Sequence, residues 1–294
     1  MRKIDGRIIL SPTDLANHLA CQHLTWLNLK SLETGIAPAQ RNDDLIEVLQ
    51  KYGDEHEETY LAKLKVSLEA ISRKVVDLKA LRDKDSTFTL DELMNGMAAT
   101  AAAMKSGRDT LYQPTLYMEA DGYTWIGYAD FLEAVDGIIS NLGDYAFEPQ
   151  DTKLARIAKV NALLQLCVYA EQIQQIQGVE PKFVHVVPGS EENEKISVRL
   201  SEVSAYYRHI KKSLIRALLE SPEKSEPTPN EHCAVCRWRV DCKKRLEKAH
   251  DLSLVSGMTS TNRHKLREIG ITKLEHLATE REINVDINPD VLSR

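Results

Sequence analysis

The sequence is short of long hydrophobic runs. Its start, MRKIDGRIIL, is basic but leads into no apolar leader core, and no later stretch approaches the roughly 20 apolar residues that span a bilayer. A cytoplasmic chain without a membrane span is the expectation. Net positive charge is missing as well: 38 Lys and Arg stand against 44 Asp and Glu, a balance of −6 over 294 residues. Such a chain does not coat nucleic acid by bulk charge. A site that holds divalent metal must itself be acidic, so the same balance is compatible with a nuclease. Cysteine is sparse, with Cys21, Cys167, Cys233, Cys236 and Cys242. Clustered thiols in a cytoplasmic chain point to metal or redox chemistry before a disulfide framework. Internal repeats are absent. What the chain does have is 43% hydrophobic and 28% charged residues, enough to bury a core.

Ser11-Pro12-Thr13-Asp14 starts a helix, with Ser as the cap and Pro at the first helical position, and the expected helix runs to Leu29 through Cys21. A second helix is expected from about Asp43 to Leu64, with His56 on its apolar face. The simpler reading of a lone inward histidine is a hydrogen-bonded core residue. From Leu111 the period turns strand-like: Leu111 to Ala120 and Tyr123 to Val135 flank the turn signal Asp121-Gly122, and a third strand covers about Asp144 to Leu154. An apolar helix from about Ala158 to Gln177, closed by Gly178, should be buried. Short strands at Lys182–Val187 and Lys195–Arg199 and an amphipathic helix at Glu202–Leu219 follow. The order predicts an α/β core with a mixed sheet flanked by helices. Ser221 to Asn230 reads as a linker, and beyond it lie a cysteine cluster, a basic helix and a helical hairpin.

Asp130 falls on the second strand and Asp151-Thr152-Lys153 on the third. Asp151 and Lys153 share a face, and a hairpin turning near residues 140 and 141 would set Asp130 opposite Asp151. Two such carboxylates repel unless a divalent cation or Lys153 neutralises them. Oxygen donors select Mg²⁺ or Mn²⁺, which can polarise a phosphodiester and activate water. Solvated strand carboxylates with basic neighbours are the plainer account. Gln165 and Tyr169 share a face of the buried helix, where their polar tips need partners: substrate phosphate, metal-site water, or internal hydrogen bonds.

In chain order, Gly53-x-x-His56, Gly127-x-x-Asp130, Asp151-x-Lys153 and Gln165-x-x-x-Tyr169 resemble the motif series of RecB-like nucleases in the PD-(D/E)xK superfamily, across about residues 8 to 250. The resemblance implies a restriction-endonuclease-like core over residues 1–250 and a small helical appendage over 251–294. It implies His56, Asp130, Asp151 and the Thr152 carbonyl as metal ligands, Lys153 as the catalytic lysine, and Gln165 and Tyr169 as residues that shape the site and meet the substrate strand. Glu148 is a further acid nearby. Pro149 departs from a regular strand and suggests a bulge or edge. The implied activity is metal-dependent hydrolysis of DNA, on single strands or ends, by an exonuclease active in DNA repair, recombination or defence. A catalytically inactive DNA-binding or assembly subunit is the competing reading. A helicase subunit or fused helicase region is the implied partner, and the abrupt polar end, INPDVLSR, suggests a missing continuation.

Cys233-x2-Cys236-x5-Cys242 supplies three thiolates, and a tetrahedral site or cubane needs four. Cys167, on the buried helix, reads as a small core residue, which favours Cys21. In cluster-bearing RecB-like nucleases of the AddB and CRISPR-associated kinds, one cysteine precedes the core and three follow it. That pattern implies a structural [4Fe-4S] cluster on Cys21, Cys233, Cys236 and Cys242 stapling the ends of the nuclease domain, with Zn²⁺ as the alternative. Around these cysteines, Arg237, Arg239, Lys243, Lys244 and Arg245 form a dense positive stretch, with Trp238 as a candidate stacking face for a base. A solvated helix face explains that stretch about as well. Residues 261–278 resemble a helix-hairpin-helix, with a capping box at Thr272-x-x-Glu275.

Overall fold

The computed structural model describes residues 1–39, 44–79, 89–189, 194–220, 225–280 and 283–292. The chain divides into two compact units, Met1–Leu19 with Asp43–Leu219, and Ala20–Asn42 with Glu220–Arg294. The boundary expected at residue 250 therefore falls inside the second unit, which gathers the segment after the first helix together with everything beyond Leu219. Part of the expected linker, residues 221–224, lies outside the described residues.

The first unit holds β1 (Arg2–Ile4), β2 (Arg7–Leu10), α1 (Pro12–Ala20), α3 (Asp44–Glu69), β3 (Val75–Asp77), α4 (Leu90–Ser106), β4 (Thr110–Tyr112), β5 (Thr115–Ala120), β6 (Tyr123–Tyr128), β7 (Phe131–Ser140), β8 (Gly143–Lys153), α5 (Val160–Gln177), β9 (Phe183–Pro188), β10 (Ile196–Arg199) and α6 (Leu200–Leu219). The helix α2 (Gln22–Thr34) belongs to the second unit. Two mixed sheets result, in the orders β1-β2-β6-β5 and β10-β9-β8-β7-β4-β3. Pairing is parallel at β2–β6, β8–β9 and β3–β4 and antiparallel elsewhere. The α/β class with mixed sheets and flanking helices is as the periodicity predicts.

The two long strands expected from Leu111 and Tyr123 are each broken, because the chain changes sheet at Gln113-Pro114 and again at Ala129-Asp130. Strands that pass from one sheet to another bend at the corner. Gln113 makes its bend with φ +52, and its N–H donates to the Asp130 carbonyl at 2.8 Å, so the two corners are tied together. The hairpin between β5 and β6 turns at Asp121 (φ 56) and Gly122 (φ 79), the paired positive φ that a tight two-residue turn needs. Pro149 sits inside β8 in regular register with Leu132, and the irregularity in the β7–β8 pair lies between Asp136 and Ser140 instead. Pairing of β8 with β9 begins only at Gln150, so the missing Pro149 donor is not needed on that side.

α5 is the buried helix of the unit, and its amides satisfy strand backbone. Gln172 Nε2 donates to the Trp125 carbonyl (3.1 Å), while Gln177 accepts from Phe147 N (2.7 Å) and donates to its carbonyl (3.2 Å). Gly178 closes the helix with φ 74. α4 is a helix that apolar periodicity does not single out, although Thr89-x-x-Glu92 forms a full capping box at its start. In the second unit follow α7 (Arg239–Lys248), α8 (Ser260–Glu268) and α9 (Leu274–Thr279), around a small core of Leu252, Leu266, Ile271 and Ile287. Thr272 does not cap α9: Lys273 holds the cap position without a side-chain bond, and the Thr272 hydroxyl meets His276 Nδ1 at 3.3 Å. No helix among the described residues is long and apolar enough to cross a membrane.

Candidate active site and cysteine cavity

Asp130 lies one residue before β7, and continuing the register Phe131↔Gln150 sets it opposite Asp151 at the end of β8. The expected pairing thus holds at the site. The Asp130 and Asp151 carboxyl groups come within hydrogen-bonding reach of each other, and Lys153 forms an ion pair with Asp151 Oδ2. Oδ2 is buried and has that ammonium as its charge partner. Thr152 turns both its N–H and its hydroxyl to Asp130 Oδ2, each at 2.7 Å. Burial, then the Asp151 charge, pushes the Asp130 carboxyl up to about 8. Burial pulls Lys153 down, but Asp151 and Asp130 outweigh it and hold the ammonium above its ordinary value.

Sequence reasoning missed a third carboxylate, Glu57. It accepts from Tyr112 Oη (2.6 Å) and from Gln113 Nε2 (2.8 Å), and the same amide lies 3.4 Å from Asp130 Oδ1. Burial and the Asp130 charge raise its pKa. The signal was present: Glu57 stands on the α3 stripe with Tyr60, Leu64 and Leu68, and a charge on an inward stripe needs a reason. His56 sits beside this group with Nε2 donating to the Val187 carbonyl at 3.3 Å, and Val187 is the β9 residue paired with Thr152.

Tyr169 is brought to the site but spends its hydroxyl internally, on the Tyr128 carbonyl at 2.8 Å. Burial first, then Asp151 and Asp130, hold that phenol well above its ordinary pKa. Gly127 is required next to it, since a Cβ there would lie 2.6 Å from Tyr169 Cε1 and 2.9 Å from Pro12 Cγ. Gln165 faces Thr13, with Nε2 3.4 Å from its hydroxyl. Glu148 is committed elsewhere: it receives His185 (2.8 Å) and the Phe183 N–H (2.9 Å), bracing β8 against β9.

The four cysteines expected to act together, Cys21, Cys233, Cys236 and Cys242, all belong to the second unit and line one cavity of about 190 Å³ with Leu24 and Leu27. They bring Cys21, just before α2, to the same cavity as residues 233–242. Cys21 is not inside a helix. It breaks the expected one in extended conformation (φ −160, ψ 107) and leads into α2. Burial raises the Cys21 and Cys236 thiols and pushes Cys242 up to about 12, with the neighbouring cysteines adding to each shift. The Asn230 N–H donates to Cys233 Sγ at 3.4 Å. Cys167 is a buried residue of α5, as expected.

Trp238 does not offer a stacking face. It is 4% exposed, packs with Leu24 and Cys236, and donates Nε1 to Asn28 Oδ1 at 2.8 Å. Arg237 is tied to the same oxygen, by Nη2 at 2.7 Å and Nε at 3.1 Å. Arg239, Lys243, Lys244 and Arg245 remain exposed on α7. Among the described residues, no three His, Cys, Asp or Glu side chains are grouped so as to hold a metal ion, neither His56 with Asp130 and Asp151 nor the four cysteines.

No family model and no curated protein matches the chain. Among solved structures, it is similar to a provisionally named exonuclease from Eubacterium rectale, with 13% identity and a TM-score of 0.37 over 78% of this chain and 87% of that one. That likeness is too distant to assign a role to any residue.

Proposed function

We propose that this chain is a metal-dependent deoxyribonuclease of the RecB-like kind, hydrolysing phosphodiester bonds in single-stranded DNA or at DNA ends. The observation that carries this reading is the enclosure of Asp130 and Asp151 against each other beside Lys153. Like charges buried together are costly unless a cation joins them. The donor set is mostly oxygen, which selects Mg²⁺ or Mn²⁺. Mg²⁺ commonly takes one or two carboxylates and fills the rest of its shell with water, and Asp130 and Asp151 would supply those carboxylates. Bound there, the ion would polarise the phosphodiester and acidify a water for attack.

The chain's own groups have separate tasks. Lys153 offsets the negative charge that grows on the phosphate. Thr152 orients Asp130, Tyr112 and Gln113 orient Glu57, and Glu57 is placed to hold a proton at its carboxylate. Tyr169 positions the strand that leads to Asp130. His56 has Nε2 engaged with the Val187 carbonyl, so Nδ1 would be its nitrogen for a metal.

For the cysteines we favour [4Fe-4S] over Zn²⁺. Zinc draws four sulfurs to about 2.3 Å from one ion. The four thiols line one cavity, and one remote cysteine ahead of three clustered ones is the spacing that favours the cluster. Its role is structural, and the exposed cations of α7 supply a positive face for a DNA strand.

Cleavage of labelled single- and double-stranded DNA by cluster-intact protein tests the reading. Mg²⁺- or Mn²⁺-dependent cutting is expected, falling at least about 100-fold in Asp151→Asn and Lys153→Ala. Binding without cleavage under every metal would favour the inactive-subunit reading and end this one.

A further inference from the structure

The second unit holds another charged cleft, lined by Glu226, Arg245, Asp251, Arg263, Arg267 and Lys273. Four cations face two carboxylates, a local excess of positive charge in a chain whose total is −6. Low-dielectric walls around one sign of charge concentrate the opposite ion. The cleft encloses about 190 Å³. That is below the roughly 300 Å³ at which pockets for drug-sized molecules begin, and it fits a small group.

Arg263 is 5% exposed, yet its guanidinium is only partly engaged. Nη2 donates to Asp251 Oδ2 at 2.8 Å and Nη1 reaches the Pro227 carbonyl at 3.5 Å, but Nε is a buried donor without a hydrogen-bond partner. Leaving a buried charged donor unmatched is costly. Arg267 Nη2 divides itself between Asp251 Oδ2 (3.2 Å) and Glu226 Oε2 (3.3 Å), and Glu226 is 59% exposed. Arg245 and Lys273 are exposed at the same cleft. Two guanidinium forks with spare donors, beside a further Arg and a Lys, match the oxygens of a phosphate.

We propose that this cleft binds one backbone phosphate of a DNA strand, with Arg263 and Arg267 as the forks, Arg245 and Lys273 as flanking charges, and Glu226 as the internal competitor that the phosphate displaces. The site rests on the nuclease reading and gives the second unit a phosphate contact of its own, beside the cysteine cavity, with which the cleft shares Pro227 and Leu246.

Binding of a labelled single-stranded oligonucleotide is measured on the full chain carrying Asp151→Asn, over a range of salt. Arg267→Gln should weaken binding several-fold and reduce the salt slope by about 1. Glu226→Gln should tighten it several-fold, more than Glu202→Gln, a charge-matched change on the surface of α6. Inorganic phosphate is the competitor arm: weakening of the parent and not of Arg267→Gln places the contact here. The proposal is overturned if the parent binds no oligonucleotide, if Glu226→Gln behaves as Glu202→Gln does, or if Arg267→Gln leaves the salt slope unchanged. Cleavage by the otherwise native chain is scored separately, so loss of the nuclease reading and loss of this site give different results.

Discussion

At the scale of single residues, Gly127 shows how a motif position acquires its identity. Any side chain there meets Tyr169 and Pro12, and the Tyr169 hydroxyl holds the Tyr128 carbonyl two residues before Asp130. Gly127→Ala should therefore cost about 1–3 kcal/mol, the usual penalty for overfilling a packed site, and displace the Tyr169 ring. Thermal unfolding against wild type checks the first and the near-ultraviolet spectrum the second. Asp130, Asp151 and Lys153 were legible because their relation is local to paired strands, where alternation and register suffice. Glu57 was not read, since its meeting with Asp130 runs through Tyr112 and Gln113 across three elements. Trp238 was misread for a related reason: an indole flanked by arginines looks exposed in sequence, and the residues that cover it and take its N–H, Leu24 and Asn28, stand about 200 residues earlier.

Among the elements, α1 places a histidine where protonation is penalised. His18 is buried with Nε2 3.0 Å from Ser213 Oγ, and burial lowers its pKa to about 4 from an ordinary 6.5. Between those values the unfolded chain takes up a proton that the folded chain refuses, so stability falls as pH drops from 6.5 towards 4. Above 6.5 both forms are neutral and the group contributes no pH dependence; below 4 its penalty is complete. His18→Gln, which can still bond Ser213 but cannot ionise, should lose less stability than wild type between pH 7.5 and 5, read as the shift in urea midpoint. The break at Cys21 and the corners at Gln113 and Asp130 belong to this scale too. Helical and strand periodicity continue through all three places, so the pattern of apolar residues gives no stop signal there.

On the scale of the whole molecule, the cysteine cavity and the phosphate cleft belong to the unit assembled from Ala20–Asn42 and Glu220–Arg294, and the acid pair to the other. A buried ion pair braces the smaller unit: Arg263 and Asp251 meet at 2.8 Å, each with a side chain 7% exposed. Burial alone would raise the Asp251 carboxyl, but bonds from Ser253 and the Arg263 charge hold it below its ordinary value. Asp251→Asn leaves the Arg263 guanidinium with only the more distant, solvent-exposed Glu226 at 3.9 Å, and a loss of about 2–4 kcal/mol is expected. Hydrogen exchange should show the loss in residues 250–275 while β6 to β8 keep their protection.

By itself the sequence determined the α/β class, the hairpin at Asp121-Gly122, the pairing of Asp130 with Asp151, and the company of Cys233, Cys236 and Cys242. Each depends on neighbours a few residues apart or on a register that alternation enforces. Only the tertiary structure decided that the strands change sheet at the acid pair, that Glu57 joins it, that Trp238 is interior, and that the helix expected through Cys21 breaks there. Those outcomes depend on which distant surfaces exclude water together, and burial of that kind leaves no periodic trace along the chain.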